Sequence, residues 1–346
     1  MNYEDHLEKA RADFAAFLKN VSPDARCVAF HDSDADGLCA GVIWQRALER
    51  LDYKNVQRLI PDRERNAWTP NNRAKIEAAK PQALWVLDLG SKSEKVIADV
   101  PTCFVDHHHP EGCPPGDTLI SAYNWEPIPN TSLMIYELTK PLVDVEDLNW
   151  IAAIGTLSDL GEKAPFEIIG EAKKQYKAKW LKEATTLVNA SRRASTYEPE
   201  TAAQALLNHT SPQALVESDS PEVARLKAAR EEVKSALEEG KKAAPQFAGN
   251  VALIRVHSPC QIHPLIAQIW RTRLPKFIVI AANDAYMPGR VNFSARSAPG
   301  INVLQFLRAI ELPEGEGNYG HGHDQASGGS LPLEAWNELL RKLGFN

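Results

Sequence analysis

Short apolar segments alternate with helical patterns through the first third of the chain, and this alternation most constrains the fold. The strand candidates lie at 26–30, 56–60, 83–87, 102–105 and 119–122. Amphipathic helical patterns lie at 3–20, 37–51 and 72–79. Strands that alternate with helices are typical of a mostly parallel sheet. We therefore predict an α/β fold.

Aspartates follow three of these strands. Asp34 and Asp36 come after the first strand, Asp88 after the third and Asp106 after the fourth. Asp32 precedes Asp34 by two positions, so an extended backbone would place both on the same side. Crowded carboxylates repel and raise one another's pKa unless a cation lies between them. In open sheets ligands bind beyond the carboxyl ends of the strands, so the pattern predicts a metal site there.

The rest of the sequence predicts helices followed by a smaller α/β unit. Helical patterns lie at 131–138, 145–157, 171–187 and 221–242, with a more polar stretch at 191–212. Strand candidates at 251–256, 276–281 and 290–295 then alternate with helices at 263–273, 303–310 and 332–343, around a glycine-rich loop at 315–329. We expect a metal-binding domain over 1–190, a helical linker over 191–245 and a smaller α/β domain over 246–346.

The composition narrows the class of protein. The chain is 44% hydrophobic and 24% charged, a normal balance for a soluble domain, and has no apolar run long enough for a membrane span. The N-terminus does not resemble a signal peptide. Five cysteines without a C-x-x-C pair favour free thiols in a reducing compartment, so we expect a cytoplasmic protein. The net charge of −6 argues against coating duplex nucleic acid by charge alone.

Two further pieces extend the acidic cluster: His107 and His108 follow Asp106, and Asp159 lies between two glycines in 155–161. Carboxylates with imidazole suit Mn²⁺, and Mg²⁺ is possible. Two such ions about 3.5–4 Å apart hydrolyse phosphoesters. A single strand-end aspartate is most often a turn former, so the hypothesis depends on all the pieces together. An EF-hand is excluded because its closing glutamate would fall at Ile43.

These pieces resemble the motifs of a known family, the DHH phosphoesterase superfamily of RecJ-like and nanoRNase-like proteins. The four matching motifs are Asp34-Ala35-Asp36-Gly37, Asp88, Asp106-His107-His108 and 155–161 around Asp159. The C-terminal part resembles the DHH-associated domain, with 292–297 as its strand motif and 320–323 as its glycine-histidine motif. Segment 189–193 resembles one near the end of the first domain in RecJ-like members.

The resemblance implies roles for individual residues. It implies metal ligands at Asp34, Asp36, Asp88, His107 and Asp159, with Asp88 bridging two ions and acting with His108 in catalysis, and His31 is preferred as the last ligand of the second ion. It implies substrate binding by Ser294, Arg296, Gly322 and His323. One ligand stays open between His31 and Asp32. Many members have a histidine four residues before the aspartate pair, where this chain has Phe30.

The expected activity is hydrolysis of nucleotide phosphoesters with two divalent ions, Mn²⁺ or Mg²⁺. The expected substrate is a short or single-stranded oligonucleotide, degraded as by an exonuclease. A nucleoside bisphosphate or a linear or cyclic dinucleotide is the rival substrate, and no membrane partner is expected. The alternative of another class is a non-catalytic scaffold that binds nucleic acid. Inorganic pyrophosphatase is less favoured, because that branch carries a different second domain.

Overall fold

The chain folds into two compact units, each built around its own sheet. The structure is a computed structural model that describes residues 2–298, 300–312 and 318–345, without the side chains of 318 and 321–323. The first unit comprises Met1–Arg192 and Glu198–Lys227, and the second comprises Arg193–Tyr197 and Ala228–Asn346. Both units combine helices with strands, which confirms the predicted α/β class. The helices predicted as a linker are divided between the two units.

The described part of the first unit contains a five-stranded sheet in the order β2-β1-β3-β4-β5. Every neighbouring pair in this sheet is parallel, as the alternation of strands and helices predicts. The strands are β1 (Arg26–His31), β2 (Asn55–Leu59), β3 (Ala83–Leu87), β4 (Thr102–Asp106) and β5 (Thr118–Ser121). Since β1, β3 and β4 are neighbours, their carboxyl ends lie side by side at one edge of the sheet.

The helices of the first unit cover both faces of this sheet. They are α1 (Tyr3–Lys19), α2 (Ala35–Arg50), α3 (Pro70–Ala78), α4 (Thr131–Thr139), α5 (Asn149–Asp159), α6 (Glu167–Tyr176), α7 (Ala178–Arg193), α8 (Pro199–Asn208) and α9 (Pro212–Glu217). A 3-10 turn, Glu146–Leu148, precedes α5, and α10 (Pro221–Gly240) contributes residues to both units.

One helical prediction needs correction. The pattern at 171–187 is not one helix, because the chain breaks between α6 and α7 at Lys177, whose φ is +68°. Neither glycine nor proline marks that break in the sequence. Within the predicted helical linker, the more polar stretch at 191–212 contains the helix α8, in which Ala202, Ala203, Ala205 and Leu206 are buried.

Successive residues of β1 belong to different hydrophobic cores. Cys27 and Ala29 pack in the core that contains α1, α2, α4 and α5, whereas Val28 and Phe30 pack in the core that contains Ile76 of α3. A parallel sheet that is buried on both faces reads as a continuous apolar run rather than as an alternation. This burial fixes β1 in register, and with it the position of the acidic stretch that follows.

The described part of the second unit contains a six-stranded mixed sheet in the order β10-β11-β9-β8-β7-β6. Its strands are β6 (Gln246–Ala248), β7 (Val251–Val256), β8 (Ile278–Asn283), β9 (Arg290–Arg296), β10 (Asn318–His323) and β11 (Ala326–Pro332). Its remaining helices are α11 (His263–Arg273), α12 (Val303–Arg308) and α13 (Leu333–Lys342). Only β7 and β8 are a parallel pair among these described strands.

The glycine-rich segment does not form the predicted loop, because most of its described part pairs as the antiparallel strands β10 and β11. Strand β11 also pairs with β9 and approaches it closely at Gly328. A Cβ atom at Gly328 would overlap the carbonyl oxygen of Phe293, so this glycine is required by the close approach of the two strands.

The described residues include no helix that combines the length and the apolarity needed to cross a membrane. The five cysteines are free, and all but Cys113 are buried.

Candidate metal centre

The candidate site lies at the edge of the first sheet where β1, β3 and β4 end. Three groups of side chains there bring oxygen or nitrogen ligand atoms within 4.8 Å of one another. The groups are Asp36 with His107 and Asp159, Asp88 with His107 and His108, and Asp32 with Asp34 and Asp88. Asp159 comes from the last turn of α5 rather than from the sheet. The topology therefore brings together all four motifs that the sequence singles out.

Asp36 is held by the start of α4. Its Oδ1 accepts hydrogen bonds from Nδ2 of Asn130 at 2.6 Å and from the backbone N–H of Ser132 at 2.6 Å, and its Oδ2 accepts one from the N–H of Thr131 at 2.9 Å. Unpaired N–H groups at a helix N-terminus favour an anion. Burial nevertheless raises the pKa of Asp36 to about 6, and the nearby carboxylates of Asp159 and Asp34 add to that rise.

Asp88 has a left-handed backbone, with φ of +63°, at the turn after β3. Its Oδ1 accepts a hydrogen bond from Oγ1 of Thr131 at 3.1 Å and lies 3.4 Å from Nε2 of His107. Burial raises the pKa of Asp88 well above its ordinary value, and Asp36 and Asp34 raise it further. An observed left-handed residue that is not glycine often marks a functional position. A cation beside Asp88 would remove the cost of its ionised form.

His107 joins two of the groups. Its Nε2 lies 3.7 Å from Oδ2 of Asp159 and 3.8 Å from Oδ2 of Asp36. Burial acts to lower the pKa of His107, but Asp159 and Asp36 outweigh burial and the pKa rises. A buried imidazole surrounded by carboxylates binds either a proton or a metal ion.

Asp106 holds His108. Its Oδ1 lies 2.9 Å from Nδ1 of the His108 ring and accepts a hydrogen bond of 2.5 Å from the backbone N–H of His108. Its Oδ2 accepts a hydrogen bond from the N–H of Gly90 at 2.6 Å. Burial acts to lower the pKa of His108, but the Asp106 carboxylate raises it to about 9. Asp106 therefore fixes the ring and favours its protonated form.

The third group contains Asp32 and not His31. The His31 ring is fully buried, with Nδ1 2.8 Å from the carbonyl oxygen of Asp32 and Nε2 3.4 Å from Nη1 of Arg58. Burial lowers the pKa of His31 to about 3, with Arg58 adding to the effect. The ring packs against Gly41 of α2, where an added Cβ would overlap its Cδ2 atom. The geometry therefore favours Asp32 over the predicted His31 as a ligand.

Two arginines that the sequence interpretation gave no role approach the same group. Nη2 of Arg65 donates to Oδ2 of Asp34 at 3.0 Å, and Nη2 of Arg192 lies 3.7 Å from the same oxygen. Burial acts to raise the pKa of Asp34, but these two guanidinium groups outweigh burial and hold it below its ordinary value. Oδ1 of Asp34 also caps α2, since it accepts from the N–H of Asp36 and of Gly37 at 3.1 and 3.2 Å.

Arg192 belongs to segment 189–193, which is held beside the first and fourth motifs by hydrogen bonds of Asn189. Asn189 accepts a hydrogen bond of 3.3 Å from the N–H of Ala35 and donates one of 2.8 Å to Oγ of Ser158. The C-terminal end of α7 therefore spans the first and fourth motifs. In the sequence, the resemblance of segment 189–193 to RecJ-like members was the signal that could have indicated a role for Arg192. For Asn130 and Thr131 the signal was weaker, a polar pair before an apolar helix.

The predicted substrate residues lie together in the second unit. Nη1 of Arg296 donates to Oγ of Ser294 at 2.8 Å and to the carbonyl oxygen of Ser327 at 3.4 Å. The backbones of Gly322 and His323 pair with Ser327 and Ala326, which themselves pair with the end of β9. The side chain of His323 lies outside the described residues.

The donor set fits a divalent metal ion. The buried carboxyl groups of Asp36 and Asp88 converge with the His107 imidazole, and burial raises the pKa of both carboxyl groups, so their ionised forms favour a neighbouring cation. Oxygen and imidazole ligands suit Mn²⁺ and, less selectively, Mg²⁺.

Comparison with known proteins gives the same family as the motifs. Residues 26–157 match the family model of the DHH family, N-terminal domain. No curated protein matches the sequence.

Three solved structures share the fold. RecJ from Thermus thermophilus in complex with Mn²⁺ is 17% identical with a TM-score of 0.71, covering 96% of this chain and 54% of that chain. An exonuclease RecJ bound to manganese is 18% identical with a TM-score of 0.63, and the match covers 96% of this chain and 93% of that chain. A DHH domain from a member of the S1p family of ribosomal proteins is 16% identical with a TM-score of 0.70, and the match covers 99% of this chain and 90% of that chain. The chain thus spans about half the length of the Thermus RecJ.

Proposed function

We propose that this chain, whose residues 26–157 belong to the DHH family as its N-terminal domain, is a two-metal phosphoesterase that hydrolyses nucleotide phosphoesters. Members of this family are metal-dependent phosphoesterases. One observation carries the proposal. Carboxylates and imidazoles from three strand ends and one helix end lie together around Asp88 and His107. Burying such a cluster without cations costs free energy, and apolar side chains would stabilise a core better.

The ligand sets follow from the three groups. Asp36, His107 and Asp159 would hold one ion, Asp32 and Asp34 would hold the other, and Asp88 would contact both. When bound, two such ions activate water and stabilise negative charge on the phosphoryl oxygens.

The protein's own groups orient these ligands. Asn130, Thr131 and Ser132 hold both oxygens of Asp36, which fixes Oδ2 of this carboxylate 3.8 Å from Nε2 of His107. Asp106 holds the His108 ring and raises its pKa to about 9 in the metal-free protein, which favours the protonated imidazole. A protonated imidazole donates a charge-assisted hydrogen bond to a phosphate oxygen. We therefore propose that His108 donates a hydrogen bond to a non-bridging oxygen of the scissile phosphate.

The proposed substrate is a short or single-stranded oligonucleotide, cleaved from one end. The support is threefold: the net charge of −6 disfavours long duplexes, Arg296 offers a planar guanidinium beside Ser294, and two solved relatives in fold are RecJ proteins. Nucleoside bisphosphates and linear or cyclic dinucleotides would use the same metal chemistry and remain the rival substrates.

A substrate panel tests the proposal. Labelled RNA and DNA oligomers of two to about 25 nucleotides, cyclic dinucleotides and a nucleoside 3′,5′-bisphosphate are each incubated with Mn²⁺ or Mg²⁺. Release of mononucleotides from short oligomers, faster than turnover of the other substrates, is the expected result. Turnover only of the bisphosphate or of dinucleotides would replace the proposed substrate. Binding of oligomers without turnover of any substrate would favour the non-catalytic scaffold.

A further inference from the structure

The two ligand groups of the metal centre differ in what surrounds them. Asp36, in one group, is held by the amide of Asn130 and by two backbone N–H groups, all of them neutral donors. Asp32 and Asp34, in the other group, both form ion pairs with the Arg65 guanidinium. A divalent ion at the second group therefore meets the permanent positive charge of Arg65, whereas the His107 imidazole in the first group can release its proton when an ion binds.

Arg65 contacts Asp32 at two points. Its Nε donates to Oδ1 of Asp32 at 2.7 Å, and its Nη2 donates to Oδ2 of the same carboxylate as well as to Oδ2 of Asp34 at 3.0 Å. A two-point guanidinium–carboxylate contact is among the strongest ion pairs in proteins. Both oxygens of Asp32 are used by Arg65, and these are the atoms that a metal ion would need.

The backbone around Arg65 is anchored. Asn72, which is buried, donates to Oδ1 of Asp62 at 3.0 Å and to the carbonyl oxygen of Asn66 at 2.9 Å. Arg65 itself has φ of +51°, a left-handed conformation, and its N–H donates to the carbonyl oxygen of Asp62 at 3.1 Å. The Arg65 side chain is 30% exposed, so it can rotate toward solvent while the turn stays in place.

We propose that Arg65 is an internal counter-cation for Asp32 and Asp34, and that a second divalent ion binds only by displacing its guanidinium. The inference rests on the proposed function, because it assumes that the centre takes two ions. The ion at Asp36, His107 and Asp159 binds first and tightly. The ion at Asp32 and Asp34 binds second and weakly, because its binding includes breaking the contacts of Arg65. Arg192, whose Nη2 lies 3.7 Å from Oδ2 of Asp34, adds positive charge to this group.

Counting bound Mn²⁺ tests this inference without an activity measurement. Metal-free protein is titrated with Mn²⁺, and free Mn²⁺ is measured from its electron paramagnetic resonance signal. The wild type is expected to show one tight and one weaker ion. R65Q is expected to bind the second ion at least about tenfold more tightly, equivalent to about 1.4 kcal/mol at 25 °C, with the first ion little changed.

Two further variants keep the result interpretable. R73Q removes the same charge from α3, where Arg73 pairs with Glu94, and is expected to titrate like the wild type. R65K keeps the charge but loses the two-point contact, so its second ion is expected to bind with an affinity between those of wild type and R65Q. R65K also supplies the test if R65Q does not fold.

Each outcome has a distinct meaning. Second-ion binding that is unchanged or weaker in R65Q and in R65K would overturn the role of Arg65 while leaving the two-metal centre intact. A wild-type protein that binds no Mn²⁺ at all would instead contradict the proposed function.

Discussion

Nε2 of His107 lies 3.4 Å from Oδ1 of Asp88, although the two residues follow different strands, β4 and β3. One or the other of them belongs to every ligand group at this edge of the sheet. The pair depends on the neighbouring, parallel arrangement of β3 and β4, which sets their carboxyl ends side by side. The metal centre is thus a consequence of the sheet order.

Replacing Asn130 with alanine should weaken binding of the first metal ion. Asn130 is fully buried; its Nδ2 donates to Asp36, and its Oδ1 accepts a hydrogen bond from Thr156 at 2.9 Å. Residues that orient a ligand typically contribute about 10–100-fold to metal affinity. We expect N130A to lose affinity for Mn²⁺ within this range, measured by isothermal titration calorimetry.

The matched control for N130A is N149A, because Asn149 bonds Gln175 at the surface and begins α5 at the end opposite to Asp159. N149A should bind Mn²⁺ like the wild type. An N130A protein that is folded and binds Mn²⁺ with wild-type affinity would show that Asn130 does not orient Asp36.

Replacing Gly41 with alanine should destabilise the first unit. The new Cβ would overlap Cδ2 of the buried His31 ring and lie 2.5 Å from its Nε2, so the ring or α2 must move. Overpacking of this kind costs about 1–3 kcal/mol. The free energy of unfolding in urea measures the loss.

Gly170 in α6 is the control for this substitution, because an added Cβ there meets nothing within 4 Å. G170A should be neutral or stabilising by up to about 1 kcal/mol, since alanine favours helix more than glycine does. Equal stability of G41A and G170A would mean that His31 does not need the space over Gly41.

Replacing Asp106 with asparagine should lower the pKa of His108. The Asp106 carboxylate is the main group that raises the pKa of His108 to about 9, and asparagine keeps the shape without the charge. We expect the pKa of His108 in D106N to fall toward its ordinary value near 6.5. Titration of the imidazole signals by NMR in metal-free protein measures it, and an unchanged pKa would rule out the proposed role of Asp106.

The stabilisation by Mn²⁺ should grow with pH. The pKa of Asp36 is raised from 3.8 to about 6, so its contribution to the stability of the metal-free protein is present below about pH 4 and is lost as the pH rises toward 6. Metal binding needs the ionised carboxylate, so protons compete with Mn²⁺ below pH 6. The raised pKa values of Asp88 and His107 act in the same direction.

Thermal unfolding with Mn²⁺ and with EDTA at each pH measures this effect. The rise in Tm caused by Mn²⁺ should be several times smaller at pH 5 than at pH 7.5, because the affinity falls about tenfold for each pH unit per proton released. A rise in Tm that is equal at the two pH values would contradict proton competition.

The sequence predicted the first three acidic motifs because they follow apolar strands, and strand ends are local features, whereas Asp159 lies in the last turn of α5. It could not decide between His31 and Asp32, since the choice depends on how β1 ends: His31 is still in the strand and faces α2, whereas Asp32 has turned into the loop. Arg65 and Asn130 were missed for a related reason. Both approach the cluster through long-range contacts: for Asn130 the sequence offers only a polar pair before an apolar helix, and for Arg65 neither spacing nor composition gives a signal.

The glycine-rich segment shows a second limit. Glycines in sequence predict a turn, but in β10 and β11 they allow close approach of neighbouring strands, as at Gly328 beside Phe293. Only the pairing partner distinguishes the two uses of glycine. The break at Lys177 between α6 and α7 likewise has no local residue that marks it.

The most direct measurement compares Mn²⁺-dependent hydrolysis of a labelled short oligonucleotide by wild type and D88N, which differ by one charge at the residue that two ligand groups share. We expect wild type to release mononucleotides and D88N to be slower by more than about a hundredfold, beyond the range for residues that only orient a ligand. Comparable rates in the two proteins would contradict the assignment of Asp88 as the bridging ligand, and with it the two-metal phosphoesterase centre.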